Sequence, residues 1–270
     1  MLRSGRSLSA GCGVWGPSVI VGCGKAGFQF FRRSAVVFRN RLTRSVYSPG
    51  VIEAHDLTKT YRRGEREIPV LRGVSCVIPD GSFSVIVGPS GSGKSTLLYL
   101  LGALDEPTTG RVELDGRRLD KMDTAARDRL RRDELGFIFQ SFNLLPNLTA
   151  VDNVVVPQLP QGLSDGDRDR AASLLTEVGL GDRLDHRPNQ LSGGEQQRIA
   201  IVRALFRRPR YVLADEPTGE LDSQRGAEIF DQLRSLQRET GATVVVVTHD
   251  ERFLDASDVV FEMADGVLKD

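Results

Sequence analysis

Cysteine is scarce in this chain, and so is histidine: there are three of each among 270 residues. Cys12, Cys23 and Cys76 show neither CxxC spacing nor pairing with a histidine, which argues against a zinc site or a disulfide framework. Cys76 falls in an alternating apolar stretch and reads as a reduced core residue. Long apolar runs are missing too. No stretch of about 18 predominantly apolar residues occurs, as a membrane-spanning helix would need. The nearest approach, Ser7–Gly24, is uncharged, but half of it is Gly, Ser or Pro. Net charge is also absent, with 36 Lys and Arg against 36 Asp and Glu. That balance hides an asymmetry. Residues 1–50 hold seven Arg, one Lys and no acid, leaving 28 basic against 36 acidic residues in 51–270. A mildly acidic body lacks the basic field that a nucleic-acid surface requires.

What is present is ordinary for a folded chain, at 40% apolar and 27% charged residues. The length suffices for one large domain or two small ones. Residues 1–50 carry no sustained helical or strand period and are rich in Gly, Ser and Arg. A secretory signal, a transit peptide, and a basic arm on an anionic membrane surface stand beside a plainer reading. In that reading the segment is a disordered extension, or the start is assigned too far upstream, with folding beginning near Val51.

From Val51 the pattern becomes regular. Val51–Tyr61 and Val70–Ile78 read as strands, the second ended by Pro79-Asp80-Gly81. Ser82–Val87 is a short apolar strand, and Lys94–Leu104 a buried helix with Leu97, Leu98, Leu100, Leu101 and Leu104 inward. Gly110–Leu114 and Leu135–Phe139 read as strands around a charged helix, Asp123–Glu134, whose charges form a solvated face. Residues 141–190 are mainly helical and polar. Tyr211–Ala214 and Thr243–Val247 are continuous apolar runs of the kind buried parallel strands show, separated by helix Ser223–Thr240. This alternation predicts an α/β domain with a mostly parallel core and a helical insertion.

Three local constellations carry chemistry. The run Gly88-Pro89-Ser90-Gly91-Ser92-Gly93-Lys94-Ser95-Thr96 sits between strand and helix and has phosphate-loop spacing. Its glycines let backbone N–H groups crowd phosphate oxygens, and the helix N-terminus adds its positive dipole end. Lys94 is placed to reach the β- and γ-phosphates, and the Ser95 hydroxyl to ligate Mg²⁺. Next, Asp215-Glu216 ends a buried strand, where a metal-binding carboxylate belongs. Asp215 is assigned to the metal, and Glu216 to orienting the attacking water. Third, Leu191-Ser192-Gly193-Gly194-Glu195 contains a capping box, Ser followed three residues later by Glu. Its helix N-terminus, flanked by Gly193 and Gly194, is a second anion-binding device.

Together these motifs resemble the ATP-binding-cassette ATPases over residues 51–270. Leu191-Ser192-Gly193-Gly194-Glu195-Gln196-Gln197-Arg198 is similar to the family signature. Gln140, after Gly136-Phe137-Ile138-Phe139, resembles the glutamine loop; Gly219-Glu220-Leu221-Asp222 the D-loop; and Thr248-His249-Asp250 the switch histidine. Tyr61 stands where the family stacks an aromatic on adenine. The resemblance implies a P-loop NTPase fold with a mostly parallel core sheet, an antiparallel β subdomain and a helical subdomain at about 141–190. It implies ATP and Mg²⁺ as cofactors, with Ser95, Gln140 and Asp215 at the metal and Glu216, His249 and Gln140 at the chemistry. It further implies a head-to-tail homodimer in which Ser192, Gly193 and Gly194 close on the partner's ATP, bound peripherally to two separate transmembrane permease subunits.

Finer similarity comes from Leu101-Gly102-Ala103-Leu104-Asp105, Phe142-Asn143-Leu144-Leu145-Pro146 and Ala214-Asp215-Glu216-Pro217-Thr218-Gly219. It points to the branch of lipoprotein-releasing ATPases, macrolide exporters and the cell-division ATPase. Glu220 and Ser82 depart from that branch, which often has Asn and Glu there. The leading expectation is the ATPase subunit, on the cytoplasmic face of a bacterial inner membrane, of a complex that releases lipoproteins toward a periplasmic carrier. A cell-wall-regulating ATPase and a macrolide-type exporter are the alternatives. A soluble cassette protein acting on DNA or ribosomes is disfavoured.

Overall fold

The computed structural model describes residues 51–219 and 223–269. Residues 1–50, with every reading of them given above, and Glu220, Leu221 and Asp222 of the D-loop match lie outside the described residues. In chain order the elements are β1 (Ile52–Arg63), β2 (Arg66–Ile78), β3 (Phe83–Val87), α1 (Lys94–Leu101), β4 (Thr109–Leu114), β5 (Arg117–Arg118), α2 (Thr124–Asp133) and β6 (Leu135–Ile138). There follow α3 (Ala150–Val155), α4 (Asp167–Glu177), α5 (Gly193–Leu205), β7 (Tyr211–Asp215), α6 (Ser223–Thr240), β8 (Thr243–Thr248), β9 (Val259–Ala264) and β10 (Val267–Leu268).

Two sheets form. One is antiparallel, ordered β2-β1-β4-β5; the other, ordered β10-β9-β3-β8-β7-β6, is parallel except for its β9–β10 edge. Every residue of β3, β7 and β8 is buried, which is why those strands read as continuous apolar runs rather than alternating ones. Their side chains still alternate between two cores. Ile86, Leu213, Val245 and Val247 face one core with Leu97, Leu98, Leu100 and Leu101 of α1. Val85, Val87, Val212, Val244 and Val246 face the other with Ile229, Phe230 and Leu233 of α6. The first core also takes Ile52, Leu57, Leu71 and Val74 from the antiparallel sheet, so α1 packs between the two sheets. A third cluster joins Val154, Ala171 and Leu175 to Ile199 and Val202 of α5 and to Phe206 just past its end. Ile201 and Ala204, on another face of α5, belong to the second core, so one helix ties the helical region to the main sheet.

The structure departs from the sequence reading in three places. Helix α1 stops at Leu101, and Leu104 is exposed rather than buried. Ala103 adopts a left-handed φ of 55°, and the amides of Ala103 and Leu104 donate back to Leu100 (3.2 Å) and Tyr99 (2.9 Å). This closes a Schellman motif without glycine at its left-handed position, which hid the stop signal. Strands β9 and β10, unread in the sequence, complete the parallel sheet beside β3. Between 141 and 190, read as mainly helical, the α-helices are confined to α3 and α4, with 3₁₀ turns at Val156–Gln161, Gly181–Arg183 and Pro188–Gln190. Cys76 is half-buried, and burial pushes its thiol up to about 11, the value of an unreactive cysteine.

Candidate functional site: the nucleotide cleft

The phosphate loop lies between the end of β3 and the start of α1. Gly88 takes a φ of 152°, and a β-carbon there would run into the carbonyl oxygen of Met263 on β9, so only glycine fits. The helix it feeds has no side-chain cap. Its first-turn N–H groups are therefore open to an anion, with the dipole favouring one. Lys94 is 4% exposed and curls over the loop, donating from Nζ to the carbonyls of Gly88 (2.8 Å) and Pro89 (2.9 Å). Burial lowers its pKa, while the charges of Glu216 and Asp215 act in the opposite sense. The Ser92 hydroxyl is buried and has no hydrogen-bond partner among the described residues.

Asp215 ends β7 and is 5% exposed. The Ser95 hydroxyl donates to its Oδ1 at 2.7 Å and the Tyr99 hydroxyl to its Oδ2 at 2.7 Å. Burial, and then the hydrogen bond to Asp215, drive the Tyr99 pKa far up, so the phenol stays a donor. Glu216 follows in a left-handed turn, with φ 43°, and its amide donates to Val247 of β8 at 2.9 Å. A non-glycine residue held there stores backbone strain of about 1–3 kcal/mol. The turn brings the Glu216 carboxylate 3.3 Å from Nδ1 of His249. His249, with Gly88, Pro89 and Ser90, lines one cleft.

Gln140 follows β6 and lies against Gly219, where a β-carbon would come 2.9 Å from its Nε2. It makes no hydrogen bond to Ser95 or Asp215 among the described residues. Phe142 and Asn143, just beyond it, both take left-handed φ angles of 58° and 49°. Half-buried Arg203 of α5 holds them there, donating to the carbonyls of Phe142 (2.7 Å) and Asn143 (2.6 Å).

Tyr61, near the end of β1, is partly exposed, with its hydroxyl donating to Asp105 at 2.8 Å and Lys59 Nζ 4.9 Å from the ring centre. Burial raises the Tyr61 pKa, the hydrogen bond to Asp105 adds to the rise, and the hydroxyl of Thr96 opposes it. Burial pushes the Asp105 carboxyl up, but hydrogen bonds from Lys59 and Tyr61 outweigh it and hold it below the ordinary carboxylate range.

Ser192 caps α5 as a full capping box. Glu195 N–H donates to Ser192 Oγ at 3.4 Å, and Ser192 N–H to Glu195 Oε2 at 2.8 Å. No hydrogen bond or ion pair among the described residues joins Ser192, Gly193 or Gly194 to the phosphate loop. The structure thus gathers Lys94, Ser95, Asp215, Glu216 and His249 with Tyr61 nearby, and leaves the signature apart. The sequence reading missed Tyr99, Asp105, Met263 and Arg203. Only Tyr99 left a signal: it stands four residues after Ser95, on the same helix face.

A family pattern described as ABC transporter matches residues 71–219, more than half of the chain. The lipoprotein-releasing system ATP-binding protein LolD 2 of Rhodopirellula baltica is 44% identical over 227 residues, spanning 82% of this chain and 89% of that protein. The macrolide export ATP-binding/permease protein MacB of Syntrophobacter fumaroxidans is 46% identical over 222 residues, 81% of this chain but 31% of that longer protein. The dimeric structure of the bacterial ABC transporter cassette MJ0796 superposes with a TM-score of 0.75 at 44% identity, covering 81% of this chain and 97% of that one. A second dimeric structure of that cassette, in a post-hydrolysis state bound to ADP and Pi, matches equally well in TM-score at 43% identity. Phosphate loop, strand-end carboxylates, mixed sheets and sequence agree: the chain belongs to the ABC transporter family, as an ATP-binding, Mg²⁺-dependent cassette whose ATP hydrolysis is coupled to transport.

Proposed function

We propose that this cassette drives a membrane complex that releases lipoproteins from the bacterial inner membrane, working there as a homodimer on two transmembrane permease subunits. The cleft carries the mechanism through two pairs at the carboxyl ends of neighbouring strands, Ser95 with Asp215 and Glu216 with His249. The Lys94 ammonium gives up the loop carbonyls for phosphate oxygens, and the orphaned Ser92 hydroxyl gains a partner. Tyr61 stacks on the base.

A hydroxyl and a carboxylate are hard oxygen donors that suit Mg²⁺, which is usually held by one or two carboxylates together with substrate phosphates and waters. Among the described residues no cluster of three or more His, Cys, Asp or Glu stands ready for a different metal. Ser95 and Asp215 would hold Mg²⁺, with Gln140 brought in as the cleft closes. When bound, the ion neutralises charge on the β- and γ-phosphates. Glu216 orients the attacking water, and His249 holds the γ-phosphate edge and the Glu216 carboxylate in register. Ser192, Gly193 and Gly194 offer their capped helix N-terminus to the partner subunit's ATP. Closure reaches the permease through Phe142–Pro146, which Arg203 fastens to the signature helix.

Lipoprotein release is preferred because this chain spans nearly all of a relative with that name. Macrolide export is the second reading, favoured by the 46% identity to MacB. No helix among the described residues is long and apolar enough to cross a membrane, in keeping with permease partners supplied by other chains. Purification in mild detergent followed by an ATPase assay tests the proposal. Two large membrane subunits should copurify, and a triacylated protein should stimulate turnover. Recovery of ribosomes or DNA, or stimulation by macrolides with no response to the acylated protein, overturns it.

A further inference from the structure

Tyr99 lies one helical turn beyond Ser95 on α1, so the two side chains point the same way. Both hydroxyls end on Asp215, one on each oxygen, each at 2.7 Å. Among the described residues no other hydrogen bond lands on that carboxylate. The arrangement matters because the terminal torsion of an aspartate is soft: the carboxylate plane swings over a broad, two-fold range unless something holds it. Ser95 alone does not hold it, since its hydroxyl must also offer its oxygen to the metal. Tyr99 is not a metal ligand in this geometry. Its hydroxyl points its proton at Oδ2, and it belongs to a rigid ring on the helix sandwiched between the two sheets. Asp215 has one free lone pair left on each oxygen, which suffices for a cation or its water.

We propose that Tyr99 is a positioning residue for the cation half of the nucleotide site, its hydroxyl fixing the Asp215 carboxylate with Oδ1 turned to the Ser95 hydroxyl. This rests on the assignment of Asp215 and Ser95 to the metal. Fixing the plane before the ion arrives removes an ordering cost from ion binding, the general gain of preorganisation. The cost of losing Tyr99 therefore falls on cation affinity, not on the phosphate loop's own hold on nucleotide. Tyr99→Phe isolates the effect. It keeps the ring and the backbone carbonyl that closes α1 by accepting from Leu104 at 2.9 Å, and removes only the hydroxyl.

The test is Mn²⁺ binding followed by electron paramagnetic resonance, on the full chain with saturating ATP. ATP affinity in excess EDTA is measured alongside, for the wild type, Tyr99→Phe and Asp215→Asn. Tyr99→Phe should raise the Mn²⁺ dissociation constant about tenfold, the scale of one hydrogen bond to a charged group. Metal-free ATP affinity should stay within about twofold, and Tyr99→Phe should add nothing on top of Asp215→Asn, since the two act through one carboxylate. Unchanged or tighter Mn²⁺ binding by Tyr99→Phe, while Asp215→Asn weakens it, overturns the role of Tyr99 alone. Unchanged Mn²⁺ binding by Asp215→Asn overturns the metal assignment beneath it. Equal loss of metal-free ATP affinity makes Tyr99 a structural residue and also overturns the proposal.

Discussion

Glu216 and His249 meet at the carboxyl ends of the adjacent parallel strands β7 and β8, the carboxylate 3.3 Å from Nδ1 of the imidazole. The left-handed turn at Glu216 is what aims the carboxylate there. Glu216→Gln keeps the size and the turn but loses the charge proposed to polarise the attacking water. ATP binding should survive while turnover falls by about 10² to 10⁴. A stable ATP-bound dimer should then appear in gel filtration, and only monomers under saturating Mg-ATP would count against this role.

Lys94 is buried, and its ammonium is held by the carbonyls of its own loop, within the site proposed to bind phosphate. Lys94→Ala should weaken nucleotide binding itself, read by fluorescent ATP titration. It differs in this from Glu216→Gln, and unchanged affinity refutes the assignment.

Gly88 packs closely against β9. Gly88→Ala would force its β-carbon against the Met263 carbonyl, at a cost of about 1–3 kcal/mol typical of such backbone strain. Both the melting temperature and ATP affinity should drop; a variant with wild-type values for both would show that the loop relaxes freely.

Glu195 ties the signature helix to pH. Hydrogen bonds from the Ser192 backbone and side chain, and then Arg183, hold its carboxyl below its ordinary 4.5. Since the folded value is depressed, its contribution to stability is present above 4.5 and lost as pH falls through the folded value. Acid melting curves should therefore be flatter for Glu195→Gln than for the wild type. Ser192→Ala should cost about 1 kcal/mol at neutral pH.

Asp105 holds Tyr61 by its hydroxyl and draws Lys59 beside the ring. Asp105→Asn should loosen the ring and raise the dissociation constant for ATP by about threefold to tenfold, the scale of one hydrogen bond. The turnover rate at saturation should be unaffected. A fall in saturated turnover with unchanged affinity would place Asp105 elsewhere in the mechanism.

Features set by neighbours in the chain were legible. The phosphate loop needs glycines, a lysine and a serine at fixed offsets between one strand and one helix. The capping box needs two residues three apart, and the structure forms both of its hydrogen bonds. Helix Ser223–Thr240 has the same bounds in sequence and structure. Strands β9 and β10 were not legible, because Val259–Ala264 is only partly buried and carries a glutamate. The end of α1 was missed for a different reason: Ala103 occupies a left-handed position that sequence patterns reserve for glycine.

By itself, then, the sequence determined that a glycine-rich loop with phosphate-loop spacing starts a helix, that a strand-end carboxylate follows, and that a second capped helix start exists. Each is a short-range consequence of residue type and spacing. Only the tertiary structure decided which distant groups share a carboxylate. Ser95 and Tyr99 lie 120 and 116 residues from Asp215, and they meet it because the sheet order β10-β9-β3-β8-β7-β6 places α1 beneath the ends of β7 and β8. Strand order arises from burying apolar faces of elements far apart in the chain, and no local pattern encodes it.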